Sequence, residues 1–321
     1  MLKTGICDLL GMEYPIIQGG MAHLGTVELV SAVSNAGGLG IIGTGYYQPD
    51  WVRQQIRLTK QQTDNPFGIN VPLTSPYARQ VIDVILEEHV GIITTGTGNP
   101  EPYIAEFKRA GMKIVPVIAS VQAAVRMEAL GADAVVAEGM ESGGHIGETT
   151  TMALVPQVVD SVSIPVIAAG GIADGRGVAA ALSLGAQGVQ IGTRFACSAE
   201  SVAHPLYKQQ IIEASDRSTV VTGNTTRLPL RSLKNSLTEQ YLALEQAGAT
   251  IEELTMFGQG RMHLGLIDGD INEGSLLSGQ IAGMIKDIKP VKAIIDELMV
   301  DAQRIISSLQ NYHTGSYYDN E

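Results

Sequence analysis

Glu141-Ser142-Gly143-Gly144-His145-Ile146-Gly147 is the stretch of this chain whose residue types say most about chemistry. Histidine titrates nearest neutrality, so it can hand over or remove one proton while a second group moves electrons. The glycines around it let backbone N–H groups and the imidazole come close to a planar partner. A lone histidine is ordinarily surface or core filler. The glycine pair before His145 and Gly147 after it favour a catalytic reading instead. His23, His89, His204, His263 and His313 have plainer surroundings, and of these only His23 falls near the same end of a strand.

Two other segments suit an anion. Ala169-Gly170-Gly171-Ile172 and Gly192-Thr193-Arg194 each close an apolar run and lead into a helical stretch. Such turns expose backbone N–H groups, here with the Thr193 hydroxyl, and together they match a phosphate dianion. The plainer alternative is that the glycines only permit tight turns. Gln18-Gly19-Gly20-Met21, Asn70, Thr94, Thr95 and Glu138 complete the set. A flavin with its ribityl chain needs this mixture: bare backbone at Gly19, Gly20, Gly143 and Gly144, a polarizable Met21, and Asn70 and Glu138 for hydroxyls or ring heteroatoms. A carboxylate inside an apolar run, as at Glu138, is costly unless paired, and a purely structural glutamate held by backbone donors is the competing explanation.

These residues share a position: each follows or ends an apolar run. The runs cover 14–21, 39–45, 67–73, 90–96, 113–119, 133–140, 164–172 and 188–195. Most are continuous Val/Ile/Ala stretches without alternation, as expected of parallel strands buried on both faces. Amphipathic stretches such as 26–38, 121–132 and 175–186 separate them. The predicted fold is an α/β (β/α)₈ TIM barrel, whose active sites lie at the C-terminal strand ends; an open doubly wound sheet is the second choice. Residues 1–199 with 289–311 form the expected barrel, 200–288 a small helical lid after strand eight, and 312–321 a frayed tail. The stretch 290–310 reads as a long amphipathic helix starting at Pro290 and covering the last strand.

Composition narrows the function classes. With 45% hydrophobic and 17% charged residues there is ample apolar surface for a core. A formal charge of −12 repels phosphate backbones and argues against nucleic acid. No apolar run approaches the roughly 18 residues of a membrane span, so a cytoplasmic protein is expected. Cys7 and Cys197 are the only cysteines, without a metal-binding spacing, and read as buried structural thiols. No metal site is expected from them.

The stretches YPIIQGGMA, NAGGLGIIG, FGIN, ADAVVAEGMESGGHIGETTTM, IPVIAAGGIADG, VQIGTRFACSAESVAHPLYK and GSLLSGQIAGM resemble the FMN-containing enoyl-acyl-carrier-protein reductases of the FabK type and their relatives, the nitronate monooxygenases. The resemblance covers nearly the whole chain. It implies FMN at the barrel mouth, contacted by Met21, Asn70, Glu138, Gly143, Gly171, Gly192 and Thr193, with His145 catalytic. GGHIG and SGQIAG resemble the reductases, whereas many monooxygenases carry Arg after the His. The resemblance further implies NADH or NADPH as co-substrate and an enoyl thioester on acyl carrier protein or coenzyme A. It also suggests a homodimer and a monovalent cation held by carbonyls in 269–283. The alternatives are oxidation of alkyl nitronates and, more remotely, a non-catalytic flavin- or phosphate-binding barrel. His23 stands where Trp is frequent, and Thr222–Arg227 lacks a histidine often found there. Both departures lie where substrate or nicotinamide would bind, and so bear on the substrate rather than on the flavin.

Arg227, Arg231 and Lys234 lie within eight residues of an otherwise acidic chain. If the segment is helical beyond Pro229, Arg231 and Lys234 share a face that could meet an acidic carrier, a pantetheine phosphate or a nicotinamide dinucleotide phosphate. A solvated surface helix is the plain alternative.

Overall fold

A computed structural model describes residues 2–309. The expected tail at 312–321 lies outside the described residues. The strands in chain order are β1 (Ile16–Gln18), β2 (Gly40–Gly43), β3 (Phe67–Val71), β4 (Ile92–Thr95), β5 (Lys113–Ile114), β6 (Val117–Ile118), β7 (Val135–Glu138), β8 (Gly144–His145), β9 (Val166–Ala169), β10 (Gly188–Ile191), β11 (Thr219–Thr222) and β12 (Leu230–Leu233). The helices are α1 (Gly5–Leu10), α2 (Val27–Asn35), α3 (Pro49–Gln62), α4 (Ala78–Glu87), α5 (Glu101–Arg109), α6 (Val121–Leu130), α7 (Thr151–Val159), α8 (Gly175–Ser183), α9 (Thr193–Ala196), α10 (Pro205–Glu213), α11 (Ser236–Gln246), α12 (Ile251–Gly258), α13 (Arg261–Leu266) and α14 (Val291–Leu309), with a 3₁₀ turn over Gln280–Met284.

Eight of the predicted apolar runs carry parallel strands. One sheet runs β1-β10-β9-β7-β6 and another β2-β3-β4-β5. β5 and β6 are two pieces of a single run, split by Pro116, which has no N–H to give a ladder. The hydrogen bonds change partner across the break: Val115 N–H donates to Ile93 O at 2.9 Å, and Pro116 O accepts from Val136 N–H at 2.9 Å. On the other side, Leu39 just before β2 bonds to β1 in both directions, Leu39 N–H to Ile16 O and Gln18 N–H to Leu39 O, each at 2.9 Å. The wholly buried Gln18 side chain reinforces that seam, accepting from Ile41 N–H at 3.1 Å and donating to Ile41 O at 3.2 Å. The strands thus follow one another around a (β/α)₈ circuit, as the sequence predicts.

Local rules account for the outer helices. Ser120 caps α6 and Gly131 ends it in a left-handed turn, while Asp174 caps α8 through the N–H groups of Arg176 and Gly177. α14 buries Val291, Ile294, Ile295, Leu298, Met299 and Ala302, one helical stripe. The stripe enters the same core as Ile16 of β1 and Val189 and Ile191 of β10, so this late helix covers the place where the last strand meets the first. Cys7 and Cys197 are both free and buried.

The stretch after strand eight departs from a purely helical reading. β11 and β12 form an antiparallel hairpin, and β12 also pairs with β8, producing a third, three-stranded sheet. Residues 230–233 are therefore extended, and the proposed helical face joining Arg231 to Lys234 does not exist. Val220 and Val221, with Leu230 and Leu233, supply the β propensity in a segment otherwise dominated by polar residues. No described helix is long and apolar enough to cross a membrane.

Candidate active site

The C-terminal strand ends open on a cavity of about 840 Å³. That is the volume of a cofactor or drug-sized ligand site. Gly19, Gly20 and Met21 reach it from the end of β1, Asn70 from β3 and Glu138 from β7. Gly143, Gly144 and His145 come from the loop beyond β7, Gly170 and Gly171 from the end of β9, and Gly192 and Thr193 from the end of β10. Thr95 does not line the cavity: it is buried in β4. Its neighbour Thr94 faces Asn70 instead and accepts from Asn70 Nδ2 at 2.8 Å, fixing the amide so that its oxygen is free to accept.

The glycines have different causes. A Cβ on Gly20 would lie 2.3 Å from Asn70 Cβ, so Gly20 is required by packing within the protein. At Gly170 (φ 88°) the added carbon would meet Gly139 O at 2.8 Å. At Gly171 (φ 74°) an added Cβ would touch Glu141 Cβ at 3.6 Å and at Gly192 it would touch Met21 Sδ at 3.7 Å, ordinary van der Waals contact, so packing within the chain does not by itself require glycine at these two. Thr193 Oγ1 accepts from Gly279 N–H at 2.9 Å, which leaves the hydroxyl hydrogen to donate elsewhere.

Glu138 ends β7 among apolar strands. Burial pushes its carboxyl up to about 7, and the Ser142 hydroxyl is the one group nearby that favours the charged form. Ser142 Oγ is buried and makes no hydrogen bond within the described residues. Near neutrality Glu138 therefore holds a proton part of the time and can donate as well as accept.

The loop bearing His145 is held from several directions. Both Glu141 carboxylate oxygens accept from Thr151 N–H, at 3.0 and 2.9 Å, and Thr151 Oγ1 donates to Oε2 at 3.0 Å. Gln280 N–H donates to Glu141 O at 2.9 Å, and Gly143 abuts Gly279 too closely for any side chain. β8 then pairs with β12, His145 opposite Leu230 and Gly144 opposite Arg231, and Ile146 N–H donates to Pro229 O at 3.1 Å. Arg231, only 5% exposed, donates to Met140 O through Nε (3.2 Å) and Nη2 (3.0 Å) and to Thr219 Oγ1 at 3.2 Å. It is an internal strut of the loop and is not a docking charge. His145 itself is exposed to the cavity, and desolvation by the surrounding walls shifts its pKa down, toward the neutral imidazole.

Several lining residues escaped the sequence reading. Gln190 sits in the middle of β10 with its side chain toward the cavity. Its signal, a polar residue inside an apolar strand, is the one that revealed Glu138. Tyr47, Arg227 and His263 also line the cavity, and they come from loops and from α13, where no periodicity marks them. In the run 269–283, carbonyls such as Asp270, Ile271, Gly274, Leu276 and Leu277 accept from protein donors. Among the described residues no cluster of three or more His, Cys, Asp or Glu side chains could hold a metal.

A ring of parallel strands with its polar groups gathered at the C-terminal mouth defines a (β/α)₈-barrel enzyme. The family model described as Nitronate monooxygenase matches residues 3–80 and 73–301. A probable nitronate monooxygenase from Staphylococcus saprophyticus is 40% identical, over 73% of this chain and 79% of that protein. A (3aS,4S,5R,7aS)-5-hydroxy-7a-methyl-1-oxo-octahydro-1H-indene-4-carboxyl-CoA dehydrogenase from Mycobacterium tuberculosis is 34% identical, over 94% of this chain and 96% of the relative. Among solved structures, FabK from Thermotoga maritima superposes with a TM-score of 0.95 at 48% identity, covering 97% of this chain and 100% of that one. The nitroalkane oxidase from Streptomyces ansochromogenes follows with 0.84 at 28%, covering 95% and 99%. The chain belongs to the nitronate monooxygenase family, a family of flavin-dependent oxidoreductases.

Proposed function

We propose that this protein reduces the 2,3 double bond of an enoyl thioester, using FMN and a nicotinamide dinucleotide. The observation that carries the reading is the likeness to FabK along essentially the whole chain at 48% identity, against 28% for the nitroalkane oxidase. A relative acting on a coenzyme A thioester, matched over 94% of the chain, supports the same substrate class.

The residues fit the cofactor. The bare backbone of Gly171 and Gly192 on the cavity wall, where packing within the chain does not require glycine, with the free hydrogen of Thr193, suits a phosphate, and Asn70, Gln190 and Glu138 suit the ribityl hydroxyls and ring heteroatoms. When bound, FMN supplies hydride chemistry, taking a hydride from the nicotinamide and delivering one to the substrate. The chain does the rest. His145 stands where a neutral imidazole can relay a proton from the open mouth to the α-carbon of the thioester. Glu138, poised near neutrality, offers a donor or an acceptor to the ring. The lid residues Pro229, Met262 and Leu277 supply apolar walls for an acyl chain.

Oxidation of an alkyl nitronate is the second reading, favoured by the 40% identity to the staphylococcal relative. An anaerobic half-reaction separates the two. Bleaching of the flavin by NADH or NADPH, followed by reoxidation on crotonyl-CoA, is the expected result. Reduction by a nitronate together with indifference to both nicotinamides would reverse the assignment. In His145→Ala the flavin should stay bound and the thioester half-reaction should slow by about 10² to 10⁴-fold; an undiminished rate would remove His145 from the chemistry.

A further inference from the structure

His23 and Tyr47 form a hydrogen-bonded couple on the cavity wall, Nδ1 to Oη at 2.6 Å. They come from different loops, His23 from the segment after β1 and Tyr47 from the segment after β2. The couple is built with care. Tyr47 stacks on Trp51 with ring centres 3.9 Å apart, and His23 meets Tyr47 and His263 edge to face, each at 5.3 Å. His263 belongs to α13 of the lid and is itself oriented by Asp268, Nδ1 to Oδ2 at 3.2 Å. His23 also holds a backbone φ of 66°, a left-handed conformation that costs a non-glycine residue free energy and gathers at functional sites.

The two groups stay neutral together: burial and the neighbouring His263 lower the His23 pKa, and burial raises that of Tyr47. A neutral imidazole and a phenol carry two acidic hydrogens between them, and their mutual bond uses one. In either tautomer one donor is left over, on His23 Nε2 or on the Tyr47 oxygen, and neither atom bonds another described residue. The phenol is the stronger acid of the pair, so the favoured arrangement puts the free hydrogen on His23 Nε2.

We propose that His23 donates this hydrogen bond to the thioester carbonyl oxygen of the substrate, with Tyr47 as its positioning residue. The inference rests on the enoyl thioester reading above. As hydride reaches the β-carbon, the C2–C3 π pair moves toward the carbonyl and negative charge collects on the thioester oxygen. Protonation of the α-carbon then returns the pair and restores the C=O bond. A fixed donor at that oxygen stabilises the charge while it exists. β1 and β7 are separated in the sheet by β10 and β9, so the couple and the His145 loop approach the cavity from different strand ends and can serve two different substrate atoms.

The carbonyl stretch of bound butyryl-CoA labelled with ¹³C at C1 tests this on the flavin-loaded protein without turnover. In the wild type the bound band should lie at lower wavenumber than in solution. His23→Ala should lose that shift and slow crotonyl-CoA reduction on the order of 10²-fold, while flavin content stays as in the wild type. Tyr47→Phe, nearly isosteric, should lose part of the shift, and His23→Gln, which restores an N–H donor, should recover part. An unchanged band in both His23→Ala and Tyr47→Phe, with wild-type reduction of crotonyl-CoA intact, overturns this role alone. Failure of the wild type to bind or reduce the thioester overturns it together with the function on which it rests.

Discussion

The turns after β9 and β10 and the loop carrying His145 face the same cavity, yet opposite kinds of contact hold them there. Gly170–Gly171 and Gly192–Thr193 end neighbouring strands of one parallel sheet, so the ladder between β9 and β10 sets their spacing. The His145 loop leaves the barrel at β7 and is fixed by a hairpin more than eighty residues later in the chain, through β12 and Arg231. On the proposed reading, the end of the cavity that would take a phosphate is set mainly by the barrel, with one lid contact from Gly279 N–H to Thr193 Oγ1, whereas the end proposed to handle the proton depends on the lid. Flavin retention and turnover should therefore fail separately.

Arg231→Met is the most severe test of that separation. The charged guanidinium is buried with hydrogen bonds to Met140 O and Thr219 Oγ1, and removing it leaves the part-buried Met140 carbonyl without its donor. Hydrogen bonds to charged groups are worth about 1.5–3 kcal/mol each, so unfolding stability should drop by roughly 3 kcal/mol. Turnover should fall about 10²-fold as the His145 loop loosens, with flavin still bound. Denaturant unfolding and the visible spectrum measure the two halves. Flavin lost in step with turnover would show that the two ends are a single unit.

Glu138 sits between the two regions, at the end of β7, and its carboxyl gives a pH-dependent signal. Below about 4.5, the ordinary value, the group is protonated in both folded and unfolded chains and contributes nothing. From there to about 7 the unfolded chain has ionised while the folded protein keeps its proton, so stability falls as pH rises. Above 7 the whole difference is present, on the order of 3 kcal/mol at 1.36 kcal/mol per unit. Glu138→Gln should remove this decline, and unfolding curves of the flavin-free protein at pH 5 and pH 8 will show it. A wild-type stability that rises over the same interval by a comparable amount would contradict a half-buried, proton-holding Glu138.

Gly171→Val acts first on the barrel side, though its added Cβ also touches Glu141 of the His145 loop at 3.6 Å. The valine must adopt φ near 74°, at a strain of about 1–3 kcal/mol, and its branches project from the cavity wall where the phosphate is proposed to sit. The purified variant should fold and be largely colourless. Full flavin occupancy would move the phosphate away from this turn.

What the sequence disclosed follows the same division. The parallel strands were legible because burial on both faces forces continuous Val/Ile/Ala runs, and Gly170, Gly171, Gly192 and His145 were legible because each sits at the end of such a run or in the loop beyond it. Thr95 shows the limit: adjacent residues of a strand point to opposite sides, and nothing local told Thr94 and Thr95 apart. The β12 strand was missed because its hairpin with β11 is joined through the polar segment 223–229, and its second partner, β8, lies 85 residues earlier and is two residues long. Tyr47 and His263 were missed because their meeting with His23 is purely tertiary.

Lys234→Ala is the smallest expected effect, and it bears on the lid's surface. In the sequence, Arg227, Arg231 and Lys234 look like one basic patch; the structure sends them to three environments. Arg231 is interior, Arg227 lines the cavity, and Lys234 is exposed with no role in the cavity wall. The bond that Lys234 does make uses its backbone, N–H to Ser218 O at 2.8 Å, and alanine keeps it. Stability should stay within about 0.5 kcal/mol of the wild type, and KM for crotonyl-CoA and for either nicotinamide should be unchanged. A raised KM for a carrier-protein-bound substrate alone would restore Lys234 to a docking surface. It would also mean that the lid recognises its partner from outside, independently of the strut at Arg231 that holds the chemistry in place.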